Sequence, residues 1–375
     1  MEVPKKDYTL LSFKEEIIRN YEKYLSATAL EERKKKLKIL CLLSEGRIWE
    51  EIFGQYGKSE SYGDLIKYSF SYEDEENKRK RAIYYIYFDE KSSLLYIFTD
   101  VPMDIFNQTL GFYIQRYRGI YYLWIHPVHF NQIKNTILER YPNGKITKFI
   151  AKRIHYDSIE CEIRPEIGRS MMYWGEDGRE SLKEMQFYYG VLPTQIVFAV
   201  EIDIRTEMKF QITNESIFTL ITSSGEALEL FFEIIGEIIP QILEIKKLMS
   251  ELKFEYKEMR TDEGIIQFPS FESAQILLTK EMTLEDVNNL INGLARQGIS
   301  IVNELIDVGS INFSATVVDD YKKAIFGISA NEDQITLIPK YQTTFDSFMK
   351  FFRFITENLD QHAQIRRFGG LNECG

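Results

Sequence analysis

The chain has 375 residues, more than one core usually serves at about 100 to 200 residues per domain, so at least two folding units are expected. Apolar residues make up 44% and charged residues 27%, with 9 prolines and 21 glycines, which excludes disordered and collagen-like classes. The net charge of -11 is unevenly placed: residues 1–200 carry 30 basic and 29 acidic groups, residues 201–375 carry 16 and 28.

The first 60 residues read as a helical N-terminal module. Phe13, Ile17 and Tyr21 recur at helical spacing behind Ser12 and Glu15, a capping-box pattern. Thr28 with Glu31 opens a second predicted helix with Leu30, Leu37, Leu40 and Cys41 on one side and the basic run 33–38 on the other. Ile48, Trp49, Ile52 and Phe53 predict a third. Residues 55–81 are polar, an acidic run followed by a basic one, and read as an exposed loop or hairpin tip. Residues 82–88 and 94–99 are rich in Ile, Tyr and Phe around a polar break, the pattern of an antiparallel hairpin.

A strand is predicted at 121–125 and a helix from Pro127, with Phe130, Ile133, Ile137 and Tyr141 on one face. Strands are expected at 146–154 and 158–163. A Gly-rich stretch then leads into a short helix, and residues 194–205 alternate with period two, as in a sheet with one wet face. Two strands flank Asn214-Glu215, and a helix capped by Ser223 and Glu226 is expected to reach about residue 254, kinked at Pro240. The last third predicts a strand at 274–278, a helix capped by Thr283 and Asp286, strands near 299–306, 311–317, 324–328 and 334–338, and a closing helix from Phe345.

The order β-α-ββββ-α therefore occurs twice, in units at 61–254 and 255–375. The segments starting at Asn214 (NESIFTLI) and Asn331 (NEDQITLI) occupy the same place in each. Their offset of 117 residues, against 154 between the preceding helices, locates an insertion in the first unit near 156–193. The fold class is thus α+β, two tandem antiparallel-sheet units with helices on one face. Two such units joined edge to edge resemble, in element order alone and over about residues 120–360, the saddle of TATA-binding proteins. That resemblance implies one curved sheet backed by helices.

The segment 111–154 sets eight basic residues against Glu139 alone and interleaves them with aromatic rings, combining phosphate neutralisation with surfaces on which bases stack. Candidate nucleic-acid contacts are Arg116, Arg118, Trp124, Lys145, Lys148, Lys152 and Arg153, joined by Arg169 and Arg179 from the inserted GRSMMYWGEDGRE stretch that also holds Trp174. On a regular strand Lys148 and Lys152 point one way and Lys145 and Arg153 the other.

His126 and His129 form an HxxH pair, with His155, Asp157, Glu160 and Cys161 as further metal-ligand types, but the spacing is not that of a zincin helix and His126 also suits a helix cap. Of the ExK triplets at 244–246, 251–253 and 255–257 at least the first two lie on a predicted helix and read as surface charges; Glu201, Asp203, Glu176 and Asp177 are the better carboxylates, with no obviously paired lysine. GxSxG, Walker A and GxGxxG motifs are absent. The reading is therefore a non-enzymatic nucleic-acid-binding or nucleoprotein-complex component, with no catalytic residues, metal or cofactor assigned. The alternatives are a protein-protein assembly component that docks or self-associates through complementary charge, and a metal-dependent hydrolase or nuclease. Three widely spaced cysteines, Cys41, Cys161 and Cys374, predict a reducing cytoplasmic setting. No signal peptide is expected from MEVPKKDYT, and no membrane span where Glu229, Glu233, Glu237 and Glu244 interrupt the longest apolar stretch.

Overall fold

The computed structural model of the chain describes residues 1–25, 36–74, 76–153, 169–202, 207–221, 224–243, 256–262, 264–269, 273–307, 311–340, 343–360 and 362–367. Helix and mostly antiparallel sheet are mixed in an α+β architecture. The chain opens with α1 (Leu10–Arg19) and α2 (Tyr21–Leu25), then runs through β1 (Lys38–Ser44), α3 (Ile48–Tyr56), β2 (Lys58–Tyr62), β3 (Leu65–Glu73), β4 (Arg79–Asp89), β5 (Leu94–Thr99), α4 (Met103–Gln108) and α5 (Leu110–Arg116). Next come β6 (Ile120–Tyr122), α6 (Pro127–Arg140), β7 (Lys145–Arg153), β8 (Arg169–Trp174), α7 (Gly178–Tyr189), β9 (Leu192–Glu201), β10 (Glu207–Thr213), β11 (Ile217–Leu220) and α8 (Gly225–Ile242). A hairpin, β12 (Tyr256–Thr261) and β13 (Gly264–Pro269), precedes β14 (Ala274–Leu277), α9 (Leu284–Ala295), β15 (Ile299–Asp307), β16 (Asn312–Asp319), β17 (Ala324–Ala330), β18 (Gln334–Pro339), α10 (Phe345–Asn358) and β19 (Gln364–Arg367).

The larger sheet runs β2-β3-β4-β5-β1-β11-β10-β9-β7-β8, with β6 also paired to β1; the smaller runs β15-β16-β17-β18-β14-β19. In both, the strand that precedes the first helix lies beside the last strand of the meander that follows it, β1 against β5 and β14 against β18.

Strand β1 is buried at every position. Ile39, Cys41 and Leu43 face a core that includes Phe13 and Ile17 of α1 and Phe231 of α8, while Leu40 and Leu42 face a second core with Trp49 and Phe53 of α3 and Phe106 and Ile114 of α4 and α5. Helices therefore cover both faces of the larger sheet rather than one. The reading of residues 38–41 as part of a helix is corrected to strand for the same reason: a continuous apolar run suits a strand covered on both sides and carries no periodicity to separate it from a buried helix. The polar stretch 55–81 is corrected as well, since it holds β2, β3 and the start of β4, with Tyr62, Leu65, Tyr68 and Phe70 buried.

Residues 120–360 do not form one sheet. The edge that β11 would offer to a following unit is taken by β1, in the register Lys38↔Thr219 and Leu40↔Ile217, so β14 to β19 build a separate sheet. On β9 the five residues from Ile196 to Val200 are all buried, so the period-two stretch is covered on both sides through its middle, with Glu201 exposed at its end. Helix α8 is described to Ile242, and its expected continuation toward residue 254 and the strand expected at 158–163 lie outside the described residues, as do Cys161 and Cys374. None of the described helices is long and apolar enough to cross a membrane.

Lys38 carries its charge into this core. Burial outweighs the attraction of Asp100 and Asp104 and pushes its pKa down to about 8 from 10.5. Between those pH values the unfolded chain holds the extra proton, so the protein gains stability as the pH rises from about 8 to 10.5. Lys38→Met removes the penalty: it is expected to be more stable than wild type at pH 7 by about 3 kcal/mol, with the advantage gone by pH 11. Denaturant unfolding at the two pH values checks this.

Candidate functional site

Strands β7 and β8 pair in a regular antiparallel register, Lys148↔Trp174, Ile150↔Met172 and Lys152↔Ser170. Because side chains alternate, these six residues share one face, while Phe149, Ala151, Met171 and Tyr173 share the other. The second set belongs to the core: Phe149 and Ala151 are fully buried and the Phe149 ring stacks on Tyr173 at 5.1 Å. The first set is open, with Trp174 79% and Met172 62% exposed. The Lys148 Nζ stands 5.0 Å from the centroid of the Trp174 ring, close enough for a cation–π contact.

The turn after β8 is fixed by hydrogen bonds. Gly175 N–H donates to the Thr147 carbonyl at 3.1 Å, the Tyr173 hydroxyl donates to the Asp177 carboxylate, and Ser181 Oγ donates to Asp177 Oδ2 at 3.2 Å. Helix α7 then starts hard against β7: a Cβ on Gly178 would sit 2.1 Å from the Ile146 carbonyl oxygen, so only glycine fits there. Leu182 anchors α7 in the core, leaving Phe187 60% exposed on its outer side.

Among the described residues β8 is an outer edge of the larger sheet, and the opposite edge makes a contrast. On β2 the residues Lys58, Ser59, Glu60 and Ser61 are all exposed, the polar composition that discourages pairing with another chain. On β8 the exposed positions are Ser170, Met172 and Trp174, two of them large and apolar or aromatic.

Of the nine residues expected to contact nucleic acid, Lys148 and Lys152 share the open face. Lys145, at the start of β7, stands 3.7 Å from Glu176. Arg153 and Arg169 oppose each other at the far end of the β7–β8 ladder, at strand positions whose side chains lie outside the described set. Arg179 is exposed on the first turn of α7. The remaining three lie elsewhere. Arg116 is on α5, its guanidinium 3.5 Å over the Phe112 ring. Arg118 donates from Nε to the Lys322 carbonyl at 2.9 Å and from Nη2 to the Lys323 carbonyl at 2.8 Å. Trp124 is 5% exposed and meets the Phe352 ring edge-on at 6.1 Å, so it is a core residue and not a stacking platform.

Arg118 belongs to a junction between the two sheets that sequence reading missed. Lys322 Nζ donates to the Ile120 carbonyl at 2.8 Å and pairs with buried Asp346, Lys350 pairs with Asp319 at 3.2 Å, and Arg353 pairs with Glu215 at 3.0 Å and Glu357 at 2.8 Å. Two cavities flank this junction and share Trp124 and Met349 in their walls. One, of about 370 Å³, is lined by Tyr122, Arg296, Asp319 and Arg353; the other, of about 730 Å³, by His126, His129, His362 and Phe352.

The histidine pair does not read as a metal centre. His126 caps α6, its Nδ1 accepting from Val128 N–H at 3.2 Å, and burial with the nearby His129 and His362 pushes its pKa down to about 4. Among the described residues no group of three His, Cys, Asp or Glu side chains could hold a metal ion. The other expected ligands, His155, Asp157, Glu160 and Cys161, lie outside the described residues, as do the ExK triplets at 244–246 and 251–253.

Residues 129–215 match the model of the AF_0896_M family middle domain. That span runs from the first turn of α6 to the β10–β11 turn and so contains β7, β8 and α7 whole. An uncharacterized protein of Archaeoglobus fulgidus is 20% identical over 265 residues, covering 68% of this chain and 70% of its own.

The junction makes a quantitative expectation. Lys322→Ala leaves the buried Asp346 carboxylate without its partner and costs about 3 to 5 kcal/mol in denaturant unfolding. The double variant Lys322→Met with Asp346→Leu removes both charges and recovers most of that loss.

Proposed function

We propose that this protein binds single-stranded nucleic acid through the open face of β7 and β8. The observation that carries the reading is Trp174, 79% exposed on an edge strand with Lys148 against its ring and Lys152 four residues further along the same face. A base stacks on the free face of the indole, while the lysines neutralise the phosphates on either side; such stacking is worth about 1 to 3 kcal/mol per base and tolerates any sequence. The flexible thioether of Met172 beside Trp174 adds an adaptable apolar contact. No step of this reading requires catalysis.

The scaffold reading that accompanies it has three units. Residues 38–116, 120–242 and 274–358 each run strand, helix, four-strand meander and helix, with β8 and α7 inserted between the first two meander strands, β7 and β9, of the second. In this reading the helical N-terminal module expected at 1–60 contributes the first strand and helix of a further unit. The resemblance to TATA-binding proteins then attaches to the element order of each unit, and the pair that shares a sheet is the first and second. The inserted β8–α7 element, placed in the segment near 156–193, would be what distinguishes the second unit.

An assembly role is the second reading, favoured by one observation: β8 leaves its outer edge without a partner strand among the described residues, and a second copy could add there. One experiment separates the two. Fluorescence anisotropy with short labelled DNA and RNA at two salt concentrations is expected to show binding by wild type that weakens with salt, a loss of about tenfold in Trp174→Ala, and a shallower salt dependence in Lys148→Ala with Lys152→Ala. Absence of binding at low salt, with Trp174→Ala instead dissociating an oligomer in light scattering, overturns the nucleic-acid reading in favour of assembly.

A further inference from the structure

Behind the β7–β9 ladder, on the face away from Trp174, α6 and α7 meet through side chains. Their contact is polar: Asn131 Oδ1 accepts from Gln186 Nε2 at 3.4 Å and from Lys134 Nζ at 3.2 Å. On α7, Arg179, Lys183 and Gln186 follow the spacing four and then three, which stacks them along one stripe of the helix. Gln186 fixes where that stripe points, toward Asn131 and Lys134 of α6. Lys134 is only 9% exposed, and among the described residues no carboxylate lies within ion-pair distance of it, of Arg179 or of Lys183. Glu180 and Glu184, each one residue further along α7, are turned about 100° away from the stripe.

A buried ammonium with a single neutral acceptor, set beside two further cations, is unfavourable unless something negative completes it. Burial together with Lys183 and Arg179 accordingly holds the Lys134 pKa below its ordinary value. We propose that Lys134, Arg179 and Lys183 form a binding site for a tetrahedral oxyanion, a phosphate group. Lys134 has two N–H donors left after its bond to Asn131, Arg179 offers a planar fork, and Lys183 adds a mobile charge at the mouth. The site stands independently of the Trp174 face, which lies across the sheet. The phosphate group belongs either to a small phosphorylated molecule or to the backbone of a nucleic acid that passes round the β8 edge, and both carry the same chemistry.

The test uses the full chain with two probes, inorganic pyrophosphate and a labelled single-stranded oligonucleotide, each at fixed ionic strength. Two variants serve: Lys134→Met, which removes the buried charge at similar volume, and Arg179→Ala with Lys183→Ala, which changes exposed residues only. Lys134→Met is expected to melt at a higher temperature than wild type without added anion, and both variants are expected to bind pyrophosphate about tenfold more weakly or worse, the loss of one charge-assisted hydrogen bond or more. If pyrophosphate binding is unaffected but oligonucleotide affinity falls by the same factor in both variants, the site stands and its phosphate comes from the polymer. If neither probe distinguishes the variants from wild type, the site does not exist, whatever Trp174→Ala does to nucleic-acid binding.

Discussion

The fold turns on the backbone ladder of β1. This strand gives one edge to β5 along six consecutive residue pairs and divides its other edge between β11, which takes the first three residues, and β6, which takes the last three. Every side chain along it is buried, so both edges and both faces are used. A strand in that position cannot slip by one residue, because a slip would exchange Ile39, Cys41 and Leu43 with Leu40 and Leu42 between two differently shaped cores. It also cannot leave, because its amides would go unpaired in an apolar surrounding. The elements before and after it are thereby held in one sheet by main-chain bonds rather than by docking of finished domains.

The smaller sheet is attached by a different kind of force. Its helix α10 turns Phe348, Phe351 and Ile355 inward, Phe326 meeting the Phe348 and Phe351 rings, and turns Phe352 and Arg353 toward the larger sheet. The contacts across that junction are ion pairs, charge-assisted hydrogen bonds and ring contacts such as Trp124 on Phe352 and Tyr121 on Phe345, not a continuous strand ladder. Trp124 stands in the wall between the cavities with its Nε1 buried and without a hydrogen-bond acceptor among the described residues. An unmet buried donor costs about 1 to 3 kcal/mol, a penalty this junction carries at Trp124.

Much of this was legible in the residues. The capping patterns at Thr283 and Asp286 and at Pro127, the alternation of the last third, and the hairpin at 82–99 all arise from local rules, and each element formed where those rules place it. The offset between matched segments points to extra residues near 156–193, and the structure has β8 and α7 within that span. What was hidden depended on partners remote in sequence. The run KILCLLS has no period because both its faces are covered, and beside a basic stretch it reads as a helix face. The basic segment 111–154 looked like one patch because charge was counted along the chain; the structure divides it among α5, the junction and β7, and leaves Lys148 and Lys152 as the pair that share a face with an exposed ring. Lys134 counts in the sequence only as one more charge of that segment, since its place beside Arg179 and Lys183 comes from α7, some fifty residues later in the chain.

The β8–α7 element concentrates the unexplained chemistry. Without β8 and α7, β7 would be an ordinary edge and Lys134 a lysine on the surface of α6. With them, β8 extends the sheet and presents Trp174 and Met172 outward, while α7, brought against β7 by Gly178, partly buries Lys134 and sets Arg179 and Lys183 beside it. Neither arrangement helps the fold: an exposed tryptophan on a strand with no outer partner among the described residues invites association, and clustered cations repel. Both would be costly ornaments on a purely structural element, since a charged edge and an Asn131–Gln186 contact without the lysines would fold more readily. The same short element, residues 169–189, carries both, so the two proposals rest on one piece of the fold while using opposite sides of one sheet edge.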